Sequence, residues 1–208
     1  MNKTPGFLVD SDHCCEKPTV TSILEHQLAN NSAKKHLSVL PCHRLDRDTS
    51  GVIVYALDKK SQQNIMQQFK LRKVLKKYIA YVQGRMERMS GEIRSFIDTK
   101  YPYFSANKNR GKLAITKFKV IDICNFFSIV EARPLTGRTN QLRIHFRQIK
   151  HPIIGERKYA FGKDFLLKFK RVALHAAEIR FYHPGTLKLM KFSAPLPKDM
   201  KDFCAKNG

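Results

Sequence analysis

The sequence predicts an α+β fold in which a mostly antiparallel sheet is flanked by helices and loops. Segments of alternating apolar and polar residues follow one another without helical crossovers, which is typical of antiparallel strands. The chain has 208 residues, enough to bury a core, and contains no internal repeat, linker or low-complexity tract. We therefore predict one domain over residues 1–208.

Two helices are predicted in the first part of the chain. The first covers residues 20–36 and follows an extended start and a polar, cysteine-containing loop. The second covers residues 59–71, and Asp58 stands where its N-cap is expected. Its apolar face is formed by Ile65, Met66 and Phe69.

Strands and one further helix are predicted in the remainder. Two polar, basic and aromatic segments, residues 100–111 and 157–171, are predicted loops. Gly137 interrupts the chain before Thr139, the expected N-cap of a helix that ends near Lys150. The predicted strands are residues 77–84, 91–98, 112–122, 126–133, 178–182 and 187–193.

The charge balance favours a polyanionic partner. Lys and Arg number 39 against 17 Asp and Glu, a formal net charge of +22. Such an excess creates a field that attracts nucleic acid, because neutralised phosphates release counterions. A membrane partner is not expected, since no basic amphipathic helix, no spanning segment and no signal peptide stands out.

Cysteine usage indicates a reducing environment. The five cysteines are odd in number and form no C-x-x-C pair, so we expect a cytoplasmic protein without a disulfide framework. His13, Cys14 and Cys15 form a single cluster with no partner pair at zinc-ligand spacing. No metal site is predicted.

Residues 43–51, His-Arg-Leu-Asp-Arg-Asp-Thr-Ser-Gly, carry the strongest chemical signal. Two carboxylates lie among two arginines and a histidine, just before an apolar, β-rich segment at residues 52–57. Neighbouring positive charge favours the ionised form of a carboxylate. An ionised aspartate at the mouth of a strand can act as a nucleophile, as a base or as half of a salt bridge.

This stretch closely resembles the H-R-L-D-x-x-T-S-G signature of the RluA-like family of RNA pseudouridine synthases. Further family motifs follow in order, and the start of the chain resembles the K-P-x-G-x-x-V element. The resemblance implies a mixed, mostly antiparallel central sheet and, since the chain begins inside the first family element, no separate N-terminal RNA-binding module. The later matches are K-x-Y-x-A-x-V-x-G at residues 76–84, R-P-x-T-G-R-x-H-Q-[IL]-R-x-H at 133–145, H-P-I-x-G-D at 151–156 and L-H-A at 174–176.

The resemblance implies three catalytic residues. Asp46 matches the catalytic aspartate, which acts at the sugar either as nucleophile at the anomeric carbon or as base at the neighbouring ribose carbon. Tyr78 matches the active-site tyrosine, whose ring stacks on uracil and whose hydroxyl can assist proton removal from carbon 5. Arg143 matches the arginine that pairs with the aspartate, and its planar fork suits a carboxylate better than a lysine. Asp48 stands at a variable position, and we expect it to be an ordinary turn residue.

The resemblance also implies substrate-binding residues. Arg44 matches the arginine that fills the gap left by an extracted nucleotide, and extraction is required because a stacked uridine hides its sugar bond. Arg138, Gln141 and His145 either hold phosphate or orient Arg143, and simple structural support remains the alternative. His43 and His175 are expected to be structural. The full substrate-binding prediction is Arg44, Lys76, Arg138, Gln141 and His145.

Two positions depart from the family motifs. Asn140 stands where the family commonly has His, and Glu156 stands where it has Asp. Because neither position is the expected catalytic aspartate or its arginine partner, these departures put fine substrate contacts in question rather than activity.

The predicted function is isomerisation of specific uridines in structured ribosomal or transfer RNA to pseudouridine. The reaction oxidises nothing, so no cofactor is expected, and no dinucleotide or nucleotide-binding glycine pattern is present. We expect a monomer with no obligatory protein partner. Two alternatives remain: a non-catalytic, basic RNA-binding or ribosome-associated protein, and a synthase-like scaffold without activity. Candidate phosphate contacts in the two basic loops are Lys108, Arg110, Lys112, Lys163, Lys168, Lys170 and Arg171.

Overall fold

The computed structural model of the protein describes residues 1–10, 18–30, 38–98, 104–105, 111–160 and 167–208. Within these residues the chain forms eleven strands and four helices. The strands are β1 (Asn2–Lys3), β2 (Leu40–Pro41), β3 (Ser50–Val52), β4 (Tyr55–Ala56), β5 (Leu75–Gln83), β6 (Ser90–Ile97), β7 (Phe104–Ser105), β8 (Lys112–Ile123), β9 (Phe127–Pro134), β10 (Leu174–Tyr182) and β11 (Leu189–Ser193). The helices are α1 (Val20–Ala29), α2 (Lys59–Lys70), α3 (Gln141–Gln148) and α4 (Lys198–Asn207).

The described residues group into two compact units. The first contains Met1–Leu75 and Glu178–Ala194, and the second contains Lys76–Ala177 and Pro195–Gly208. Each unit has its own cluster of buried apolar side chains. The organisation of residues 1–208 as one domain stays a prediction.

The first unit is built from short strand pairs and a capped helix. Antiparallel pairs join β1 to β3, β2 to β4, and the last five residues of β10 to β11. Helix α2 begins as predicted, because the Asp58 carboxylate accepts a hydrogen bond from the Ser61 N–H at 2.8 Å. Its buried face differs from the predicted one: Ile65 is buried, but Met66 is 50% exposed and Gln62 and Gln68 are buried instead.

The second unit is built on an antiparallel sheet. Its strands lie in the order β5, β9, β8, β6, β7, and each of these neighbours is antiparallel. A bulge interrupts the β8–β9 register between Val120 and Asp122. Aromatic and aliphatic side chains from β5, β8 and β9 pack with Leu142 and Phe146 of α3 in the core. The predicted α+β class with a mixed, mostly antiparallel sheet is confirmed.

Several predicted boundaries were wrong. Helix α1 ends at Ala29 rather than continuing to residue 36, and residues 31–37 lie outside the described part of the chain. The N-cap of α3 is Asn140, not Thr139. Strand β10 begins at Leu174, four residues before the predicted start, and β7 lies inside a segment that was predicted to be a loop.

Helix α4 was not predicted at all. Its sequence is rich in Lys and Asp, and only Met200 and Phe203 are buried, so little periodicity marks it. These two side chains join the core of the second unit. Arg171, 8% exposed, anchors the helix through paired hydrogen bonds of 2.7 and 3.0 Å to the Asp199 carboxylate.

Candidate active site

Asp46 lies in a loop of the first unit, residues 43–51, which we call the Asp46 loop. Exposure alternates along it: Arg44 is exposed, Leu45 is buried in the interior and Asp46 is half-buried. The loop closes with a turn in which the Thr49 N–H donates to the Asp46 carbonyl at 3.1 Å. Leu45 therefore anchors the segment between the exposed Arg44 and the half-buried Asp46.

A buried lysine fixes the backbone of the Asp46 loop. The Lys3 side chain is only 1% exposed, and its ammonium donates to the carbonyls of Arg47 at 2.8 Å, Thr49 at 2.9 Å and Thr4 at 3.1 Å. These three acceptors match the three donors of an ammonium group. The Gly6 N–H adds a bond of 2.9 Å to the Arg47 carbonyl.

The small residues that end the loop have structural reasons. Thr49 and Ser50 are each 2% exposed, so only short side chains fit there. Gly51 has φ of 113°, a conformation that other residues rarely adopt, and it pairs with Lys3 in the β1–β3 register. The T-S-G part of the motif thus sets the path of the chain after Asp46.

Lys76 and Tyr78 lie two residues apart on β5, so both side chains point to one face of the sheet of the second unit. Tyr78 is half-buried and pairs with Ala132 of β9. The Lys76 ammonium donates to the Thr136 carbonyl at 3.2 Å, and burial lowers the pKa of Lys76 to about 8. A substantial fraction of Lys76 is therefore neutral at slightly alkaline pH.

Arg143, on α3, is held by a second charged residue. Its Nε and Nη2 groups donate to the two carboxylate oxygens of Glu156 at 2.5 and 2.8 Å. Glu156 is 0% exposed, and its Oε1 atom also accepts from the backbone N–H groups of Lys158 at 2.7 Å and Tyr159 at 3.1 Å. This is a fork-to-fork ion pair supported by backbone amides, in which the arginine donors take the place of water around a buried carboxylate.

Asn140 holds the same guanidinium from another side. It adopts a left-handed conformation with φ of 54°, and its side chain makes no helix cap. Instead, its Oδ1 accepts from Arg143 Nη1 at 2.9 Å, and its Nδ2 donates to the Tyr159 hydroxyl at 2.8 Å. The Tyr159 ring lies below the guanidinium, 5.2 Å from its central carbon.

Gly155 explains how the chain brings Glu156 into place. Its φ is 78°, and a Cβ at this position would lie 1.8 Å from the Arg171 carbonyl oxygen. Only glycine permits that close approach. The H-P-I-x-G turn therefore delivers the next residue, Glu156, into the interior beside Arg143.

Behind Arg143, four polar side chains form a buried hydrogen-bonded network. Thr136 donates to Gln141 Oε1 at 2.7 Å, and Gln141 Nε2 donates to Thr116 Oγ1 at 3.0 Å. His145 Nδ1 bonds the same Thr116 hydroxyl at 2.9 Å. His145 is 0% exposed, and burial lowers its pKa to about 4, so its ring is neutral at physiological pH.

The buried network contains two of the residues that are predicted to bind substrate. Gln141 and His145 are bonded inside the protein, which favours the supporting role that the sequence left open over direct phosphate contact. Arg138 is half-buried, and its Nε donates to the Leu113 carbonyl at 3.2 Å. The second unit brings Arg138, Gln141, Arg143 and His145 together on and before α3, and Lys76 bonds the turn that precedes them. Assignment of the five predicted residues to substrate binding stays a prediction.

Of the two expected structural histidines, His43 is half-buried and His175 is buried. The Val54 N–H donates to His43 Nε2 at 3.1 Å, and the His43 ring lies 5.0 Å from that of Phe69. His175 is 1% exposed. These positions agree with structural roles.

The predicted phosphate contacts need one correction. Arg171 is buried against Asp199 and is unsuited to bind phosphate at the surface. Lys112, Lys168 and Lys170 are exposed as expected. Lys108, Arg110 and Lys163 lie outside the described residues, as do His13, Cys14 and Cys15. Among the residues that the structure describes, no group of three or more His, Cys, Asp or Glu side chains is placed to hold a metal ion.

Sequence reasoning missed the roles of Lys3, Asn140, Glu156 and Tyr159. A signal existed for Asn140, which lies three residues before Arg143 and therefore on the same side of a helix start. Glu156 and Asn140 were noticed only as departures from the family pattern. The contacts of Lys3 with Arg47 and Thr49 span more than forty residues of the chain, and no local pattern reveals them.

Comparison with known proteins decides the family. Residues 1–148 match the family model described as RNA pseudouridylate synthase. The chain belongs to the RNA pseudouridylate synthase family. Membership confirms the predicted enzyme class, an RNA pseudouridine synthase, which is an isomerase.

Similar proteins include ribosomal and dual-specificity synthases. The chain is 34% identical to the ribosomal large subunit pseudouridine synthase D of Buchnera aphidicola subsp. Schizaphis graminum, over 97% of this chain and 68% of the relative. It is 37% identical to the dual-specificity RNA pseudouridine synthase RluA of Haemophilus influenzae, over 74% of this chain and 72% of the relative. Some other curated relatives are matched over little more than half of their length, for example 55% of synthase D from Blochmanniella floridana.

Solved structures agree on the fold. Human RNA pseudouridylate synthase domain containing 4 superposes with a TM-score of 0.80 at 23% identity, covering 96% of this chain and 85% of that one. Human RNA pseudouridylate synthase domain containing 1 gives 0.69 at 26% identity, covering 83% and 73%. No helix in the described part of the chain is long and apolar enough to span a membrane.

Proposed function

We propose that the protein converts specific uridines in structured ribosomal or transfer RNA to pseudouridine, with Asp46 as the catalytic carboxylate on a uridine flipped out of its stack. The observation that carries the proposal is the family match over residues 1–148, which includes Asp46, Tyr78 and Arg143. All three residue types stand at the positions that the family motifs require.

The proposed reaction rearranges one nucleotide without an external reactant. The bond from ribose carbon 1 to uracil nitrogen 1 breaks, and a bond from ribose carbon 1 to uracil carbon 5 forms. Carbon 5 loses a proton and nitrogen 1 gains one, so atoms and electrons balance without a redox cofactor. Asp46 acts at the sugar, as nucleophile or as base, while Tyr78 stacks on the base or assists removal of the proton.

Access to the sugar bond requires that the uridine leave its stack. We assign Arg44 to the space that the uridine vacates, which its exposed position on the Asp46 loop supports. Lys76 and Arg138 are assigned to the RNA, since each is a partly exposed basic side chain of the second unit. The cytoplasmic location and the monomeric state remain part of the proposal.

The function is tested by incubating purified protein with bulk RNA and no added cofactor, then mapping pseudouridines by sequence position. We expect new pseudouridines at a small set of defined positions. RNA that is bound but unmodified would instead support the non-catalytic RNA-binding or ribosome-associated alternative, which the net charge of +22 alone would permit.

The affinity for RNA should fall steeply as the salt concentration rises, because the excess of positive charge implies several phosphate contacts. Reversing the charge of the exposed Lys112, Lys168 and Lys170 should lower RNA affinity and flatten the salt slope by about one unit for each phosphate that is no longer neutralised. Reversal of Lys198, Lys201 and Lys206 on α4 changes the net charge by the same amount, and as the matched control it should have a smaller effect. A dissociation constant that does not depend on salt would rule out this electrostatic account.

A further inference from the structure

We infer that Glu156 and Asn140 are positioning residues, which together fix the plane and direction of the Arg143 guanidinium for the reaction. The inference rests on the proposed function, in which Arg143 serves catalysis. Glu156 and Asn140 are also the two departures from the family motifs, and both side chains bond the same guanidinium. The inference therefore assigns one shared role to the two departures.

The contacts reach every nitrogen of the guanidinium. Glu156 binds the edge formed by Nε and Nη2, and Asn140 binds Nη1. These bonds account for three of the five N–H groups of an arginine. The other two, one on Nη1 and one on Nη2, are thereby given a fixed direction toward whatever acceptor they meet. Direction, rather than charge alone, is what the pair supplies.

Glu156 is suited to be an anchor because it cannot shift easily. Its carboxylate is fully buried, and two backbone N–H groups, from Lys158 and Tyr159, bind the same oxygen that accepts from Arg143 Nη2. The backbone before Glu156 lies close to the Arg171 carbonyl at Gly155, where there is no room for a side chain. Because the Glu156 carboxylate is fixed, the Arg143 guanidinium that pairs with it is also held in place.

Asn140 and Tyr159 complete the arrangement. The left-handed backbone of Asn140 directs its amide back toward the helix that it precedes, and the amide joins Arg143 to the Tyr159 hydroxyl. The Tyr159 ring, buried with Ile97, Ala114 and Ile144, supports the face of the guanidinium. Arg143 is thus held at an edge, at one end and on a face.

The test separates catalytic rate from RNA binding. Glu156→Gln keeps the length of the side chain and removes its charge, and we expect the single-turnover rate at saturating RNA to fall at least about tenfold, since small misplacements of a catalytic group are costly. The dissociation constant for RNA should change by less than about threefold. Asn140→Ala removes one bond to the guanidinium, together with the bond to the Tyr159 hydroxyl, and should have a smaller effect than Glu156→Gln. Glu156→Asp, which keeps the charge, should retain more activity than Glu156→Gln.

A matched control distinguishes positioning from general damage. Asp199→Asn removes the carboxylate of another paired arginine contact in the same unit, with Arg171, and should leave the rate per folded molecule unchanged. In an Arg143→Lys background, Glu156→Gln should lower the rate little further, because its effect passes through Arg143. An equal loss of rate in Asp199→Asn, or full additivity with Arg143→Lys, would overturn the inference.

A second readout does not depend on activity. In nuclear magnetic resonance spectra of the full chain, the Arg143 Nε–H should exchange slowly with water in the wild type and in Asp199→Asn, and rapidly in Glu156→Gln. Equal protection in wild type and Glu156→Gln would contradict the positioning role. If the wild type made no pseudouridine while the Nε–H behaved as expected, the proposed function would fall and the anchoring of Arg143 would stand.

Discussion

The Asp46 loop and the start of α3 hold their charged residues by different means. In the loop, the Lys3 ammonium binds backbone carbonyls, which fixes the path of the chain irrespective of most side chains around it. At the start of α3, the fixed groups are side chains, Glu156 and Asn140, bonded to the Arg143 guanidinium. Removal of the Lys3 ammonium should therefore act mainly on stability, and changes to the side chains that hold Arg143 mainly on rate.

Removal of the lysine should give the largest loss of stability. Lys3→Met keeps the length of a buried side chain but removes the ammonium donor from three carbonyls, at a cost of roughly 1–3 kcal/mol for each carbonyl left unsatisfied. The Arg47 carbonyl keeps its bond from the Gly6 N–H. We expect the free energy of unfolding, measured in urea, to fall by about 3 kcal/mol or more. Lys77→Met is the control, since its ion pair with Glu131 spans 3.8 Å at a partly exposed site and should be worth less than about 1 kcal/mol. A similar loss in both variants would refute the backbone clamp.

The polar network behind Arg143 should make stability depend on pH. The pKa of His145 is about 4 in the folded protein against an ordinary value of 6.5, so the unfolded chain binds a proton that the folded chain excludes. This contribution is complete above pH 6.5 and is lost as the pH falls toward 4. Between pH 7 and pH 5 it amounts to about 2 kcal/mol.

The comparison needs a variant that does not titrate. His145→Asn keeps a polar group near the position of Nδ1, where Thr116 can still bond it. Its free energy of unfolding should fall by about 2 kcal/mol less than that of the wild type between pH 7 and pH 5. Parallel pH profiles for the two proteins would show that His145 is not the group responsible.

Loss of the Arg143 guanidinium should lower the turnover rate more than the affinity for RNA. Arg143→Lys keeps a positive charge but cannot make the two-point bond to Glu156 and the bond to Asn140 together. We expect turnover to fall by at least about one order of magnitude, a barrier increase of about 1.4 kcal/mol. RNA affinity should change much less. Intact turnover with collapsed binding would make Arg143 a phosphate contact instead.

The sequence predicts the Asp46 loop and the strands better than it predicts the contacts at the start of α3. The Asp46 loop was located from nine consecutive residues, because its charged side chains and the small residues that follow them are contiguous in the sequence. The strands of the second unit were placed to within a few residues, since alternation marks half-buried strands. Helix α4 was missed because a Lys- and Asp-rich segment with two buried residues carries little periodicity.

Apart from the three-residue spacing between Asn140 and Arg143, the contacts around Arg143 could not be predicted from the sequence. The residue type of Thr139 favours it as the N-cap, but the N-cap is Asn140. The side-chain amide of Asn140 is hydrogen-bonded to Arg143 and to the Tyr159 hydroxyl. Glu156 reaches Arg143 across thirteen residues through a turn that only Gly155 permits. Such contacts are set by tertiary packing, and the pairing of Arg143 with Asp46 that the family resemblance implies stays a prediction.

The most direct test of the central claim follows the hydrogen at uracil carbon 5. Joining that carbon to ribose forces its hydrogen to leave, whereas binding or hydrolysis leaves it in place. RNA labelled with tritium at carbon 5 should release one label into water for each pseudouridine formed, with no metal or nucleotide added. Asp46→Asn should bind RNA with nearly unchanged affinity and release none. Full release by Asp46→Asn, or no release by the wild type on any cellular RNA, would contradict the account.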